Sequence, residues 1–153
     1  MTHSRQEFSL ETVDQTIALA HALADRLIAG LPLLLSGPVG AGKSLIARTI
    51  IQHRLALENK FEDVPSPTFT LVQVYDLADT EIWHCDLYRL GDPNEVFELG
   101  LDEAMENAIC LIEWPDRLGD LEPENTLKLT LRYDGEGRAA MLEAPIDWGT
   151  LEL

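Results

Sequence analysis

Apolar residues near the start of the chain recur at the spacing of a helix that buries one face. Thr12, followed three residues later by Gln15, forms a capping-box pattern where this stretch begins. Gly30 follows the last apolar position and is a residue type favoured at helix ends. We therefore predict a first helix between Thr12 and Gly30, with apolar positions at Val13, Ile17, Ala20, Leu23, Ala24, Leu27 and Ile28.

A short apolar run at residues 31–36 leads into a glycine-rich turn, and a second helical pattern follows at residues 43–57. The apolar positions of this second pattern are Leu45, Ile46, Ile50 and Ile51. A strand, a glycine-rich loop and a helix in this order form half of a parallel α/β unit.

The middle of the chain has the composition of β-strands. Residues 68–77 are rich in β-branched and aromatic side chains, and residues 81–87 form a second such run. Because only three residues separate the two runs, we predict an antiparallel hairpin.

The second half of the chain combines short helical patterns with apolar runs. We predict two short helices, a buried strand and a second hairpin, at residues 92–100, 102–107, 108–112, 126–133 and 138–143. The proline-rich acidic end is not assigned to any element. Together the patterns predict one mixed α/β sheet, parallel near the glycine-rich turn and antiparallel in its hairpins.

Composition limits the class of protein. The chain has 153 residues, 46% of them hydrophobic, which suits a single domain spanning residues 1–153. Its 11 basic and 27 acidic side chains give a net charge of −16, so we expect no unaided binding to nucleic acid or to an anionic membrane. The charge either keeps the domain soluble or forms an acidic face for a basic partner.

The amino-terminal segment and the cysteines indicate a cytoplasmic protein. Residues 1–10 are polar and lack the apolar region of a signal peptide, and no apolar run approaches the length of a transmembrane helix. Cys85 and Cys110 each lie within an apolar run, so we expect two buried thiols and a reducing environment.

The glycine-rich turn carries the most specific motif. Residues 37–44, GPVGAGKS, match G-x-x-x-x-G-K-[ST] at every fixed position, which predicts a phosphate-binding loop for ATP or ADP with Mg²⁺. Lys43 reaches the β- and γ-phosphates, and Ser44 supplies a hydroxyl oxygen to the metal. The predicted nucleotide-binding residues are Gly37, Pro38, Val39, Gly40, Ala41, Gly42, Lys43, Ser44, Leu45 and Trp114. With this loop, the predicted fold is a P-loop NTPase-like three-layer sandwich, its mixed sheet flanked by helices.

A magnesium site of this kind needs a second acidic contact at the end of a neighbouring strand. Glu113 directly follows the apolar run at residues 108–112, and Asp86 follows a less apolar run, so both are candidates. Either residue can instead be a solvated acid at a strand end.

Three hydroxyls lie on a proline-stiffened segment at residues 66–70, where a switch segment could reach the γ-phosphate. An ordinary turn at the start of a strand fits the same pattern. His84 and Arg89 flank Asp86, and both are more typical of structural contacts than of catalysis. Trp114 either packs on the core or lies beside the nucleotide.

Four motifs in succession resemble the bacterial TsaE family, in both order and spacing. They are GPVGAGKS at 37–44, SPTFTLVQVY at 66–75, HCDLYRL at 84–90 and IEWPDRL at 112–118. The resemblance implies a P-loop ATPase of tRNA threonylcarbamoyladenosine biosynthesis that hydrolyses ATP slowly by itself. It also implies partners of the TsaD and TsaB types, a sugar-kinase-like catalytic subunit and its paralogue. Those partners modify N6 of an adenosine beside the anticodon of ANN-decoding tRNAs, so contact with tRNA is indirect.

The resemblance also implies roles for individual residues. Lys43 and Ser44 match the phosphate and magnesium contacts, and Thr68 matches a switch threonine. Asp86 matches the acid proposed to act in hydrolysis. Glu113 matches a carboxylate on the magnesium side, and Trp114 matches a functionally important aromatic residue. Pro38 and Ser44 depart from the residues that the family often has at these places, although serine is a chemically adequate metal ligand.

Two other classes of protein share the phosphate loop. A small-molecule kinase usually needs an arginine-rich lid, and the arginines after the loop are few and scattered. A GTP-dependent switch is suggested faintly by DRLG at 116–119 and NKFE at 59–62. The second of these motifs comes too early in the chain to flank a guanine base.

Overall fold

A seven-stranded mixed sheet forms the centre of the computed structural model, which describes residues 3–153. Its strands are β1 (His3–Leu10), β2 (Leu33–Ser36), β3 (Val72–Asp76), β4 (Glu81–Asp86), β5 (Ile109–Glu113), β6 (Leu127–Asp134) and β7 (Gly137–Pro145). The spatial order is β1-β7-β6-β2-β5-β4-β3. Strand β2 pairs in parallel with β5 and β6, β5 pairs in parallel with β4, and the other pairs are antiparallel. The predicted mixed sheet, parallel beside the glycine-rich loop, is confirmed.

Helices cover both faces of this sheet. They are α1 (Val13–Ala24), α2 (Lys43–Ala56), α3 (Glu95–Leu99) and α4 (Leu101–Asn107), with short 3₁₀ segments at Pro115–Leu121 and Ile146–Trp148. Successive residues of a strand point to opposite faces. Accordingly, Leu33 and Leu35 pack in the apolar cluster that includes α1 and α2, whereas Leu34 packs in the cluster that includes α3 and α4. The predicted three-layer arrangement is therefore correct.

Two predicted element boundaries are wrong. Helix α1 begins at the predicted capping box but ends at Ala24, six residues before Gly30. Gly30 has φ of +87° and donates its amide to the carbonyl of Ala108, so it forms a turn beside β5 and does not cap the helix. The strand predicted from residue 68 begins only at Val72, because residues 68–70 form a turn and the amide of Leu71 bonds back to Pro67.

Sequence patterns did not reveal two elements at the edge of the fold. Strand β1 pairs along its whole length with β7, burying Phe8 and Leu10. The unassigned carboxyl-terminal end packs on it, with Gln6 and Leu151 exchanging two hydrogen bonds. Met1 and Thr2, part of the polar segment in which no signal peptide is predicted, lie outside the described residues.

Burial agrees with the expectation for the cysteines. Cys85 and Cys110 are fully buried free thiols, and burial raises the pKa of Cys110 to about 12. Among residues 3–153, none of the helices combines the length and the apolar character that crossing a bilayer requires.

The parallel strands bring the candidate acids together. Strands β4 and β5 end at Asp86 and Glu113, which are paired neighbours in the register. Leu35, one residue before the end of β2, is paired with Glu113 on the other side. Because parallel strands end at the same edge of the sheet, the glycine-rich loop and both acids share one edge.

Candidate active site

A cavity of about 480 Å³ opens at this edge of the sheet. Its wall combines the glycine-rich loop, the first turn of α2, the ends of β4 and β5, and Thr68. Ten predicted site residues line it: Val39, Gly40, Gly42, Lys43, Ser44, Leu45, Thr68, Asp86, Glu113 and Trp114. Tyr88 also lines the cavity and was not among the predicted site residues. Gly37, Pro38 and Ala41 belong to the loop but do not line the cavity wall, and Ala41 is buried.

Glycine is required at two points of the loop. Gly37 has φ of +143°, and a Cβ atom there would lie 2.6 Å from the carbonyl oxygen of Leu131. Gly42 has φ of +115° at the residue before α2, a conformation that residues with a side chain rarely adopt. The loop thereby turns the chain directly from β2 into the start of a helix. Unpaired amides and the positive end of the helix dipole meet at such a start, which favours phosphate binding.

Lys43 is buried within the cavity wall, with 6% of its surface exposed. Its ammonium group donates to the carbonyl oxygens of Gly37 and Pro38 and lies 4.3 Å from the ring centre of Trp114. Burial lowers the pKa of Lys43, and the carboxylates of Glu113 and Asp86 oppose this lowering. A charge held inside the loop in this way can exchange its carbonyl partners for phosphate oxygens.

Glu113 is fixed through both of its carboxylate oxygens. Oε1 accepts a hydrogen bond of 2.9 Å from the hydroxyl of Ser44, and Oε2 lies 2.7 Å from Nε2 of His84. Both Glu113 and His84 are almost completely buried. Within residues 3–153, Nδ1 of His84 has no hydrogen-bond partner, so the ring is held only through Nε2. His84 therefore contacts a candidate site residue.

Asp86 is held by a different kind of contact. Oδ1 accepts from the backbone amide of Tyr88 at 3.1 Å, and Oδ2 accepts a long bond of 3.4 Å from the hydroxyl of Thr68. Thr68, the first residue of the turn at residues 68–70, in turn shares a 2.8 Å hydrogen bond with the exposed Ser66. Phe69, the next residue of this turn, is 81% exposed. Asp86 therefore connects the buried strand end to a mostly exposed segment.

Trp114 lies between the apolar core and the cavity. Its ring packs partly against the apolar cluster of α3 and α4 and also lines the cavity. It lies 5.0 Å from the ring of Tyr88. With φ of +58° and ψ of +52°, Trp114 has a left-handed backbone, which is uncommon for a residue with a large side chain. The guanidinium of Arg89, three residues after Asp86, lies 4.5 Å from the ring centre of Phe69.

Two further side chains contact the loop and were not predicted from the sequence. The hydroxyl of Tyr133 donates to the carbonyl oxygen of Val39, and Nη2 of Arg138 donates to that of Gly40 at 3.1 Å. No motif marks these residues, because their position depends on how far β6 extends beyond β2. The register pairs Ser36, the last residue of β2, with Thr130, so the remaining residues of β6 run beside the loop.

The donor set at the loop fits magnesium. In residues 3–153, no group of three or more histidine, cysteine or acidic side chains is arranged to hold a metal by itself. Mg²⁺ commonly takes one or two protein oxygens and completes its shell with phosphate and water. The Ser44 hydroxyl and the Glu113 carboxylate, adjacent on the cavity wall, are oxygen ligands of that type.

Comparison with known proteins identifies the family. A family model described as threonylcarbamoyl adenosine biosynthesis protein TsaE matches residues 10–140. The chain belongs to the TsaE family. This P-loop ATPase family is involved in tRNA threonylcarbamoyladenosine biosynthesis, and its members bind nucleotide. The family and the pathway implied by the four sequence motifs are therefore correct.

Individual TsaE relatives agree with this assignment. The protein of Rickettsia bellii named tRNA threonylcarbamoyladenosine biosynthesis protein TsaE is 38% identical over 123 residues, covering 80% of this chain and 83% of the relative. The Haemophilus influenzae protein of the same name is 37% identical over 116 residues, covering 75% and 71%. The crystal structure of Bacillus subtilis YdiB superimposes with a TM-score of 0.74 at 21% identity, covering 95% of this chain and 88% of that one. This structural likeness supports the fold alone.

Proposed function

We propose that this TsaE-family protein binds ATP with Mg²⁺ and hydrolyses it slowly by itself, and that hydrolysis supports repeated turnover of a tRNA threonylcarbamoyl transferase complex. One observation carries the proposal: the Ser44 hydroxyl and the Glu113 carboxylate lie 2.9 Å apart, on the wall that Lys43 and the phosphate loop share. Phosphate contacts and hard oxygen ligands for the metal therefore converge on one cavity.

The phosphate loop and its neighbours form the nucleotide contacts in this proposal. They are Gly37, Pro38, Val39, Gly40, Ala41, Gly42, Lys43, Ser44 and Leu45, with Trp114 beside the nucleotide. Ser44 and Glu113 are the metal ligands. When bound, Mg²⁺ neutralises charge on the phosphate oxygens during transfer. Lys43 adds a positive charge from inside the loop, where burial strengthens its attraction to phosphate.

Catalysis rests on Asp86 together with Thr68 and Lys43. Asp86 lines the cavity next to Glu113 and has a carboxylate oxygen within reach of the Thr68 hydroxyl. From this position Asp86 orients the water that attacks the terminal phosphate. Thr68 connects Asp86 to the exposed turn, so that this turn responds to the state of the nucleotide.

Partners of the TsaD and TsaB types complete the proposed activity in the cytoplasm, and tRNA is contacted only through them. A net charge of −16 supports docking on basic partner surfaces over direct binding to an RNA backbone. Residues 1–153 act as one ATPase domain in this complex.

Calorimetric titration with Mg·ADP tests the proposal on the wild type and on Lys43→Ala. We expect the wild type to bind and the variant to lose at least about 100-fold in affinity with its circular dichroism unchanged, because several charge-assisted hydrogen bonds are removed. Lys60→Ala, a change to a partly exposed lysine four residues after the end of α2, is the matched control. Wild-type affinity in folded Lys43→Ala would refute the assignment, and tighter binding of GDP than of ADP would favour a GTP-dependent switch.

Steady-state hydrolysis tests the part played by the partners. We expect ATP turnover to rise when purified TsaD- and TsaB-type subunits are added together. Unchanged turnover, or transfer of the phosphoryl group to a metabolite, would contradict the proposed role in the complex.

A further inference from the structure

The apex of the phosphate loop, at Val39 and Gly40, is contacted from outside the nucleotide cavity. Tyr133 and Arg138 make these contacts, and they face each other as a directly paired couple in the β6–β7 hairpin. The guanidinium of Arg138 lies 4.5 Å from the ring centre of Tyr133. We propose that Tyr133 and Arg138 are positioning residues that hold the phosphate loop in its nucleotide-binding conformation, an inference that rests on the proposed function.

The two hydrogen bonds fix consecutive peptide planes. Tyr133 bonds the carbonyl of Val39, which shares its peptide plane with the amide of Gly40, and Arg138 bonds the carbonyl of Gly40, which shares its plane with the amide of Ala41. In a trans peptide the C=O and N–H groups point in opposite directions. Holding the two carbonyls therefore sets the directions of the two amides. The Ala41 amide donates to the carbonyl of Pro38 at 3.2 Å, which closes the turn.

This constraint matters because the backbone of Gly40 is not restricted by a side chain of its own. Its φ is +82°, and a residue without a Cβ atom adopts many other backbone conformations at little cost. The Tyr133 hydroxyl lies 3.0 Å from where a Cβ atom of Gly40 would be, so the side chain closes tightly on the loop. Ordering the loop before the ligand arrives lowers the entropy cost of binding.

Several backbone amides of the loop have no carbonyl acceptor, and an anion would need such amides to bind. Across residues 3–153, no carbonyl oxygen accepts from the amides of Gly40, Gly42, Lys43 or Ser44. By contrast, the carbonyls of the four loop residues 37–40 are all engaged, the first two by Lys43 and the last two by the hairpin. The loop thus has its acceptors occupied and several donors available for phosphate oxygens.

The hairpin is well anchored for this task. A Cβ atom at Gly137 would lie 2.9 Å from Cα of Glu11, so the turn of the hairpin packs directly on the chain that leaves β1. Arg138 also donates to the carbonyls of Glu136 and Gly137. It lines a separate, smaller cavity behind the loop and not the nucleotide cavity, so it acts on the nucleotide only through the loop.

The test compares Tyr133→Phe, Arg138→Met and the double variant with the wild type by calorimetric titration with Mg·ADP. Each single change removes one hydrogen bond to the loop, and we expect the Kd to rise about threefold to tenfold. In the double variant we expect the Kd to rise by less than the product of the two single fold-changes, because the side chains contact each other. In ATP hydrolysis we expect KM to rise with kcat unchanged, the sign of a lost binding interaction.

Controls separate this role from fold stability. Arg132→Met changes an exposed arginine on the same hairpin and should leave the Kd at the wild-type value. Arg138→Lys keeps a charged hydrogen-bond donor group and should recover part of the affinity lost in Arg138→Met. A lower melting temperature without nucleotide, combined with an unchanged Kd in both single variants, would assign the pair to folding alone and overturn the inference. A wild type that fails to bind Mg·ADP would instead refute the proposed function, and the positioning role with it.

Discussion

The surroundings of Glu113 and Asp86 differ, although the two acids end adjacent strands and are paired in the register. Glu113 is bonded by two side chains from regular elements, Ser44 in the first turn of α2 and His84 in β4. Asp86 is bonded by a backbone amide and by Thr68, which belongs to an exposed turn. One acid is locked into the core of the fold, and the other is linked to a segment on its surface.

This difference suggests a division of labour. A metal ligand benefits from a fixed position, since a preformed site loses less conformational entropy when the metal binds. A residue that must respond to the nucleotide benefits from a partner that can move. The deeper acid, Glu113, is therefore suited to hold Mg²⁺, and Asp86 is suited to couple hydrolysis to the turn at residues 66–70.

Replacing Asp86 by asparagine should give the larger effect. Asp86→Asn keeps the shape of the side chain but removes its charge, and we expect kcat for ATP hydrolysis to fall about 100-fold or more. Thr68→Val, which removes the hydroxyl on the same path, should reduce kcat by a smaller factor. Steady-state kinetics and Mg·ADP titration measure both, and Mg·ADP affinity should hardly change. A large loss of Mg·ADP affinity in Asp86→Asn would show that Asp86, and not Glu113, contacts the metal.

Replacing Glu113 by glutamine should give a smaller effect, and this effect should be on the Mg²⁺ dependence of nucleotide binding. Glu113→Gln leaves one oxygen acceptor but removes the charge, so we expect the Mg²⁺ concentration for half-maximal nucleotide binding to rise about tenfold to 100-fold. Titrating Mg²⁺ at fixed ADP measures this shift, with Asp86→Asn in parallel. If Asp86→Asn shifts the midpoint more than Glu113→Gln does, the assignment of the two acids is reversed.

Local patterns carried enough information to predict most of the helices and strands, with β1 as the exception. The capping box at Thr12, the glycine-rich turn and the apolar run that becomes β5 each depend on residues close together in sequence. The hairpin of β3 and β4 follows from a short connection between two strand-like runs. The end of α1 was mispredicted because Gly30 serves a tertiary contact with Ala108, which no local pattern encodes.

The same limit explains which residues of the candidate site were predicted. The loop, Asp86 and Glu113 were predicted because a motif or a strand end marks them. The contact between His84 and Glu113 was not predicted, because it depends on the register of two strands distant in sequence. The contacts of Tyr133 and Arg138 with the loop were missed for the same reason, since the hairpin and the loop are distant in sequence. Whether Trp114 faces the core or the cavity could not be decided from sequence, and its ring does both.

A crystal structure of the wild-type protein with Mg²⁺ and a non-hydrolysable ATP analogue would examine the loop most directly. We expect the triphosphate within residues 37–44, with the Lys43 ammonium moved from the carbonyls of Gly37 and Pro38 to phosphate oxygens. The Ser44 hydroxyl should coordinate the metal at about 2.1 Å. A triphosphate bound elsewhere, with Lys43 still on the carbonyls of its own loop, would contradict the assignment of this site.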